Sequence, residues 1–140
     1  MKYSKQDHGY GYEGIYNFIA KKHDCVAHTS DQIGSYQGDA IACFIRKDGM
    51  VGVLDHCFGS CSGCDDYEAS DMYFSDNGTS EQLIGLADGY EQSVRWDTKE
   101  NTLKRCDELW LEGQAGYYFD KEKFEKFYRD TIPNFIKANR

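Results

Sequence analysis

Between Tyr12 and His23 the apolar residues Tyr12, Ile15, Tyr16, Phe18 and Ile19 recur at a three-to-four spacing. That period predicts an amphipathic helix, with Lys21 and Lys22 at the end where the helix dipole favours positive charge. The pattern then changes. Ala40 to Lys47 and Met50 to Cys57 are rich in β-formers and flank Asp48-Gly49, a two-residue turn signal, so together they predict a β-hairpin. Residues equidistant from the turn pair with one another, which brings the glycine-rich stretches 34–39 and 58–66 to the same end of the ladder. These two loops are expected to touch, with Tyr36 and Asp39 on one side of the contact.

Beyond the hairpin the periodicity is less regular. The segment DDYEASDMYF opens with acids suited to the first turn of a helix, and Asp76-Asn77-Gly78 ends it. Thr79 to Gln82 fits a capping box ahead of Leu83, Ile84 and Leu86, which predicts a second short helix. Ser93 to Trp96 and Leu109 to Leu111 are expected as further strands, separated by a polar connection over Asp97 to Thr102. At the C-terminus Asp120 is placed to cap a helix whose apolar face is Phe124, Phe127, Tyr128, Ile132, Phe135 and Ile136, with Pro133 kinking it or ending its first part. The expected architecture is a single α+β domain over residues 1–140. A central antiparallel hairpin, extended by one or two later strands, is packed by the N- and C-terminal helices.

The 140 residues suffice for one core, and eleven tyrosines and eight phenylalanines supply large buried surfaces. MKYSKQDHGYGYEG has no apolar signal region, and no run approaches the length of a membrane span, so a cytoplasmic, non-membrane protein is expected. In that compartment the six cysteines are read as reduced thiols rather than disulfides. Cys43 in the run AIACFI, and the isolated Cys25 and Cys106, read as small buried hydrophobes.

The chemistry visible in the sequence is concentrated in HCFGSCSGCDD, residues 56–66. Cys61 and Cys64 form a C-x-x-C pair on a glycine-softened turn, where two sulfurs can converge on one metal ion. No second C-x-x-C and no H-x-x-x-H accompanies them, so an unmetallated structural loop is the leading reading and no cofactor is expected. Zinc is the alternative, with Cys57 or His56 as a third ligand and Cys25, Cys106 or a histidine completing the tetrahedron. Thioredoxin-like chemistry fits less well: the chain's single proline is Pro133, and Asp65 and Asp66 oppose a thiolate. No cysteine–histidine triplet or paired-carboxylate pattern singles out a hydrolase, and Gly34 to Asp39 lacks the lysine of a phosphate-binding loop. An enzyme is therefore not the leading expectation.

Charge adds a second signal. The net charge is -8, and Asp65 to Val94 carries eight acids with no lysine or arginine. Such a field repels nucleic acid and attracts basic surfaces. The partner-binding residues expected from this segment are Asp65, Asp66, Glu68, Asp71, Asp76 and Glu81. The bland alternative for the same residues is a solvated, solubilising face.

The order GSYQGD, hairpin, FGSCSGCDDYEA resembles small uncharacterised phage and bacterial proteins that pair G-S-Y-Q-G-D with G-S-C-S-G-C-D after a strand. The likeness covers residues 34–69. It implies that Asp39, Cys61, Cys64 and Asp65 share one site, with Cys57 outside the motif, and it carries no known activity. A phage setting implies, by analogy, a short acidic protein of the bacterial cytoplasm that inhibits or sequesters a basic host partner, such as a nucleic-acid-handling defence protein.

Overall fold

The computed structural model describes residues 1–33, 38–59, 65–71, 78–111 and 121–139. Strands β1 (Cys25–Ile33), β2 (Gly38–Arg46), β3 (Val51–Phe58) and β4 (Arg95–Asp97) form one antiparallel sheet in the order β1-β2-β3-β4. Helices α1 (Lys5–His8), α2 (Gly11–Lys22), α3 (Asp66–Ser70) and α4 (Glu81–Ser93) precede β4 in the chain or lie between the strands. After β4 come α5 (Lys99–Leu111), α6 (Lys121–Lys126), a π-helical turn (Phe127–Thr131) and α7 (Ile132–Ala138).

The central strands are buried on both faces because helices cover both. On one face Ala40, Ala42, Phe44 and Leu54 pack with Ile15, Phe18 and Ile19 of α2 and with Leu83 and Ala87 of α4. On the other, Ile41, Cys43, Ile45, Val51 and Val53 pack with Cys106 of α5 and with Phe127, Tyr128, Ile132 and Ile136. Alternation along a strand sends neighbouring side chains to opposite faces, so the near-continuous apolar run of β2 feeds two cores. The α+β expectation holds, with the N-terminal and C-terminal helices on opposite sides of the sheet.

Several expectations are corrected in detail. The hairpin loop has three residues rather than two: the Gly49 N–H donates to Arg46 O and the Arg46 N–H to Met50 O, both at 2.9 Å. A two-residue type I′ turn needs positive φ at both centres, and of Asp48 and Gly49 only Gly49 has it, at 91°. Sheet extension comes from β4 on one side and from β1, an unexpected earlier strand, on the other. Leu109–Leu111 ends α5 instead of forming a strand. The expected polar connection is the start of α5, where the Thr98 hydroxyl accepts from the Asn101 N–H at 3.1 Å. At α4 the cap is Ser80, whose hydroxyl accepts from the Leu83 N–H at 3.0 Å. Thr79 is instead buried and accepts from the Lys5 N–H at 2.9 Å.

Pro133 acts as expected, near the start of α7. Its ring excludes the carbonyl four residues back and it donates no N–H, and the helix accommodates it through the preceding π turn at Phe127–Thr131. Asp120 and Tyr117–Phe119 lie outside the described residues, and the side chain of Phe124 is likewise not described. Gly52 lets β4 close on β3, since a Cβ there would lie 2.6 Å from Val94 Cγ1 and 2.8 Å from the Trp96 ring.

Candidate functional site

The register places Gly38 opposite Phe58 and Asp39 opposite Cys57, so the end of the sheet where β2 begins and β3 ends carries the chemistry. Asp39 and Cys57 share the face of Ile41 and Val53, whereas His56 shares the face of Leu54. The Cys57 thiol points at Asp39 Oδ1, 3.9 Å away. Asp39 is 8% exposed and its Oδ2 has no hydrogen-bond partner among the described residues. Burial, then the neighbouring Asp55, raises the Asp39 carboxyl above the usual carboxylate range. Burial also raises the Cys57 thiol, and Asp39, Asp66 and Asp55 add to the effect. A thiol flanked by acids keeps its proton, so Cys57 is not an activated nucleophile.

On the opposite face His56 sits in an aromatic box. Its ring lies 4.5 Å from that of Tyr12 and is stacked at 4.7 Å on Tyr90. Nδ1 donates to Cys57 O at 3.0 Å and Nε2 accepts from the Tyr16 hydroxyl at 2.5 Å, which assigns a neutral tautomer. Burial lowers the imidazole pKa; the Cys57 carbonyl and the carboxylates of Asp55, Asp65 and Asp66 oppose that shift without reversing it.

Asp65 joins this box to the neck of the cysteine-rich loop. It is 6% exposed, caps α3 by accepting from the Glu68 N–H at 3.1 Å, accepts from the Tyr12 hydroxyl at 2.8 Å and from the Gly59 N–H at 2.7 Å. Its carboxylate is therefore committed within the fold and presents little charge to a partner. Asp71 is likewise engaged, with Lys5 Nζ at 2.8 Å. Glu91 holds His23 at 2.7 Å and Lys22 at 3.4 Å. Asp66 and Glu68 on α3, and Glu81 in the first turn of α4, are exposed, and none forms an ion pair among the described residues. Helices α3 and α4 pack together, so the two elements that carry these three acids are neighbours.

Asp76, Cys61, Cys64 and Tyr36 lie outside the described residues, so the expected contact between the two glycine-rich loops is seen only at its base, in the pairing of Gly38 and Asp39 with Phe58 and Cys57. Among the described residues no three histidine, cysteine or acidic side chains converge as a metal site. Cys43 and Cys106 are buried and their thiols are pushed up to about 12, while half-buried Cys25 is pushed up to about 11. Burial is the main cause in each, which leaves all three unreactive. The tyrosine box around His56 was not predicted. Its trace in the sequence is the four-residue spacing of Tyr12 and Tyr16, which places both on one helix face.

No protein-family model, no curated protein and no solved structure matches this chain.

Proposed function

We propose that this protein is a binding protein that docks a basic partner on the acidic side formed by α3 and the start of α4, and so inhibits or sequesters it. One observation carries the reading: among the described residues Asp66, Glu68 and Glu81 are exposed without an ion pair, although the fold supplies cations to Asp71 and Glu91 nearby. Each of the three also favours the dipole of its own helix, so the charge is held there at no cost to folding. Unpaired carboxylates on a chain of net charge -8 create a negative potential that steers a positive surface into contact. Surfaces that grip nucleic-acid backbones are of that kind, which makes a nucleic-acid-handling host protein the expected partner. The same potential disfavours direct nucleic-acid binding. Among the described residues no helix is long and apolar enough to cross a membrane.

The test is capture of partners from bacterial lysate at low and high salt with the wild-type chain and with an Asp66→Lys, Glu68→Lys, Glu81→Lys variant. A basic protein retained by the wild type at low salt and lost by the variant is expected. Equal retention by both would reduce the acidic side to a solvated surface.

A further inference from the structure

We propose that β1 is a dimerisation edge: two copies of this chain pair their β1 strands antiparallel about a two-fold axis at Thr29, which makes one sheet of two. The sheet ends on β1, and among the described residues no strand pairs with its outer edge. The bond from the Arg46 N–H to Met50 O fixes which backbone groups face outward. In an antiparallel ladder successive residues turn their N–H and C=O to opposite sides, so Phe44, Ala42 and Ala40 bond to β3 while Ile45, Cys43 and Ile41 bond to β1. The register partners of the latter, Ala27, Thr29 and Asp31, therefore point their backbone groups inward, and His28, Ser30 and Gln32 point theirs out of the sheet. Gln32 agrees: its N–H donates to the Asp31 side chain, at 2.9 Å, instead of to a strand.

Natural edges avoid such pairing by being short, by carrying lysine or proline, or by bulging away. β1 runs nine residues without lysine, arginine or proline, and its irregularity is confined to the start, between Cys25 and Ala27, where Val26 is 62% exposed. Helix α2 packs Ile15, Phe18 and Ile19 against β2 and β3, and reaches β1 through solvent-exposed bonds of Asn17 to His28 at 3.1 Å and of Ser30 to Glu13 at 3.2 Å. A second copy is the occupant that β1 itself fits. Outward residues must meet outward residues, which restricts the axis to a residue position. Placed at Thr29, the middle of the strand, it sets His28 opposite the partner's Ser30 as a doubly hydrogen-bonded pair and Thr29 opposite the partner's Thr29, a favourable cross-strand pair. Asp31, the strand's one acid, then faces the partner's Ala27, whereas an axis at Asp31 would oppose two carboxylates. The inference is independent of the acidic-side reading.

The experiment follows the full chain by analytical ultracentrifugation from micromolar to millimolar concentration, kept reduced so that no disulfide joins two copies. A monomer–dimer equilibrium is expected. Thr29→Lys and Thr29→Glu each set like charges face to face at the axis and should weaken dimerisation roughly fivefold or more, whereas an equimolar mixture of the two should dimerise at least as well as wild type. Only an axis at Thr29 brings position 29 against itself, so the restored mixture reports the register. Ser30→Pro removes an outward N–H and leaves the ladder with β2 intact; it should fold and dimerise roughly tenfold less well or worse. Should these variants fail to fold, wild-type protein still decides: hydrogen exchange at the His28 and Ser30 amides should slow as concentration rises, while Ala27 and Thr29 stay protected throughout. A wild type that remains monomeric, a dimer unweakened by both Thr29 substitutions, or an axis mixture that fails to recover would overturn the proposal. So would His28 and Ser30 amides already protected in the monomer, which would mean that another stretch of the chain covers the edge.

Discussion

Replacing Asp65 with alanine separates a structural carboxylate from a partner-binding one. The side chain caps α3 and accepts from the Tyr12 hydroxyl and the Gly59 N–H. Loss of a capping side chain costs about 1 kcal/mol. A hydrogen bond to a charged acceptor contributes about 1.5–3 kcal/mol, and a buried donor left without one loses most of that. Tyr12 is 9% exposed, so water replaces its partner poorly, whereas half-buried Gly59 is more easily rehydrated. Three donors share one carboxylate and their losses overlap, so Asp65→Ala should destabilise by about 3–5 kcal/mol, a large part of the ~5–15 kcal/mol of a whole domain. Urea unfolding followed by tryptophan fluorescence measures it. Tyr12→Phe alone should cost about 1–2 kcal/mol and less than that in the Asp65→Ala background, where what remains to be lost is the bond that the Tyr12 hydroxyl accepts from the Tyr67 N–H at 3.2 Å. An Asp65→Ala variant within about 0.5 kcal/mol of wild type, or strict additivity with Tyr12→Phe, would refute the clamp.

Three further outcomes follow from the packing. Gly14→Ala should destabilise by about 3 kcal/mol despite alanine's higher helix propensity, because the new Cβ meets the Gly9 carbonyl oxygen at 2.1 Å; a stabilised variant in thermal melts would contradict that approach. Burial depresses the His56 pKa, so the unfolded chain takes up a proton that the folded one does not. Its contribution is therefore complete above about pH 6.5 and is lost as pH falls below that value, and His56→Gln should lack this component; identical pH–stability profiles would refute it. Cys43 and Cys106 should resist alkylation in the folded protein and react at the rate of global unfolding, whereas fast labelling of either under native conditions would show that the core face is open.

The elements that were legible in the sequence are those whose pattern is local. Tyr12, Ile15, Phe18 and Ile19 define α2 within a few turns, and the β-formers around Asp48-Gly49 define the hairpin. β1 escaped detection because CVAHTSDQI is polar and half exposed: an edge strand owes its conformation to the ladder with β2 rather than to its own periodicity. Leu109–Leu111 misled because three apolar residues fit either a strand or a helix end, and the polar helix formers before them decide the outcome. At the site, the Asp39–Cys57 neighbourhood follows from the hairpin once its register is fixed, but a one-residue difference in loop length chooses the partners. The acidic segment was legible as charge alone. Which carboxylates are committed depends on Lys5, Lys22, His23 and Tyr12, all remote in sequence, so only the fold separates Asp65 and Asp71 from Asp66, Glu68 and Glu81.

The central claim, docking of a basic partner on the α3–α4 side, is tested most directly by association rates with the captured partner across ionic strength. Steering weakens as the Debye length contracts from about 10 Å at 0.1 M salt to about 3 Å at 1 M. The wild-type on-rate should therefore fall steeply with salt. The Asp66→Lys, Glu68→Lys, Glu81→Lys variant should associate slowly at low salt, with a shallow or reversed salt dependence and a smaller change in off-rate. An unchanged on-rate and an unchanged salt slope in that variant would contradict the account.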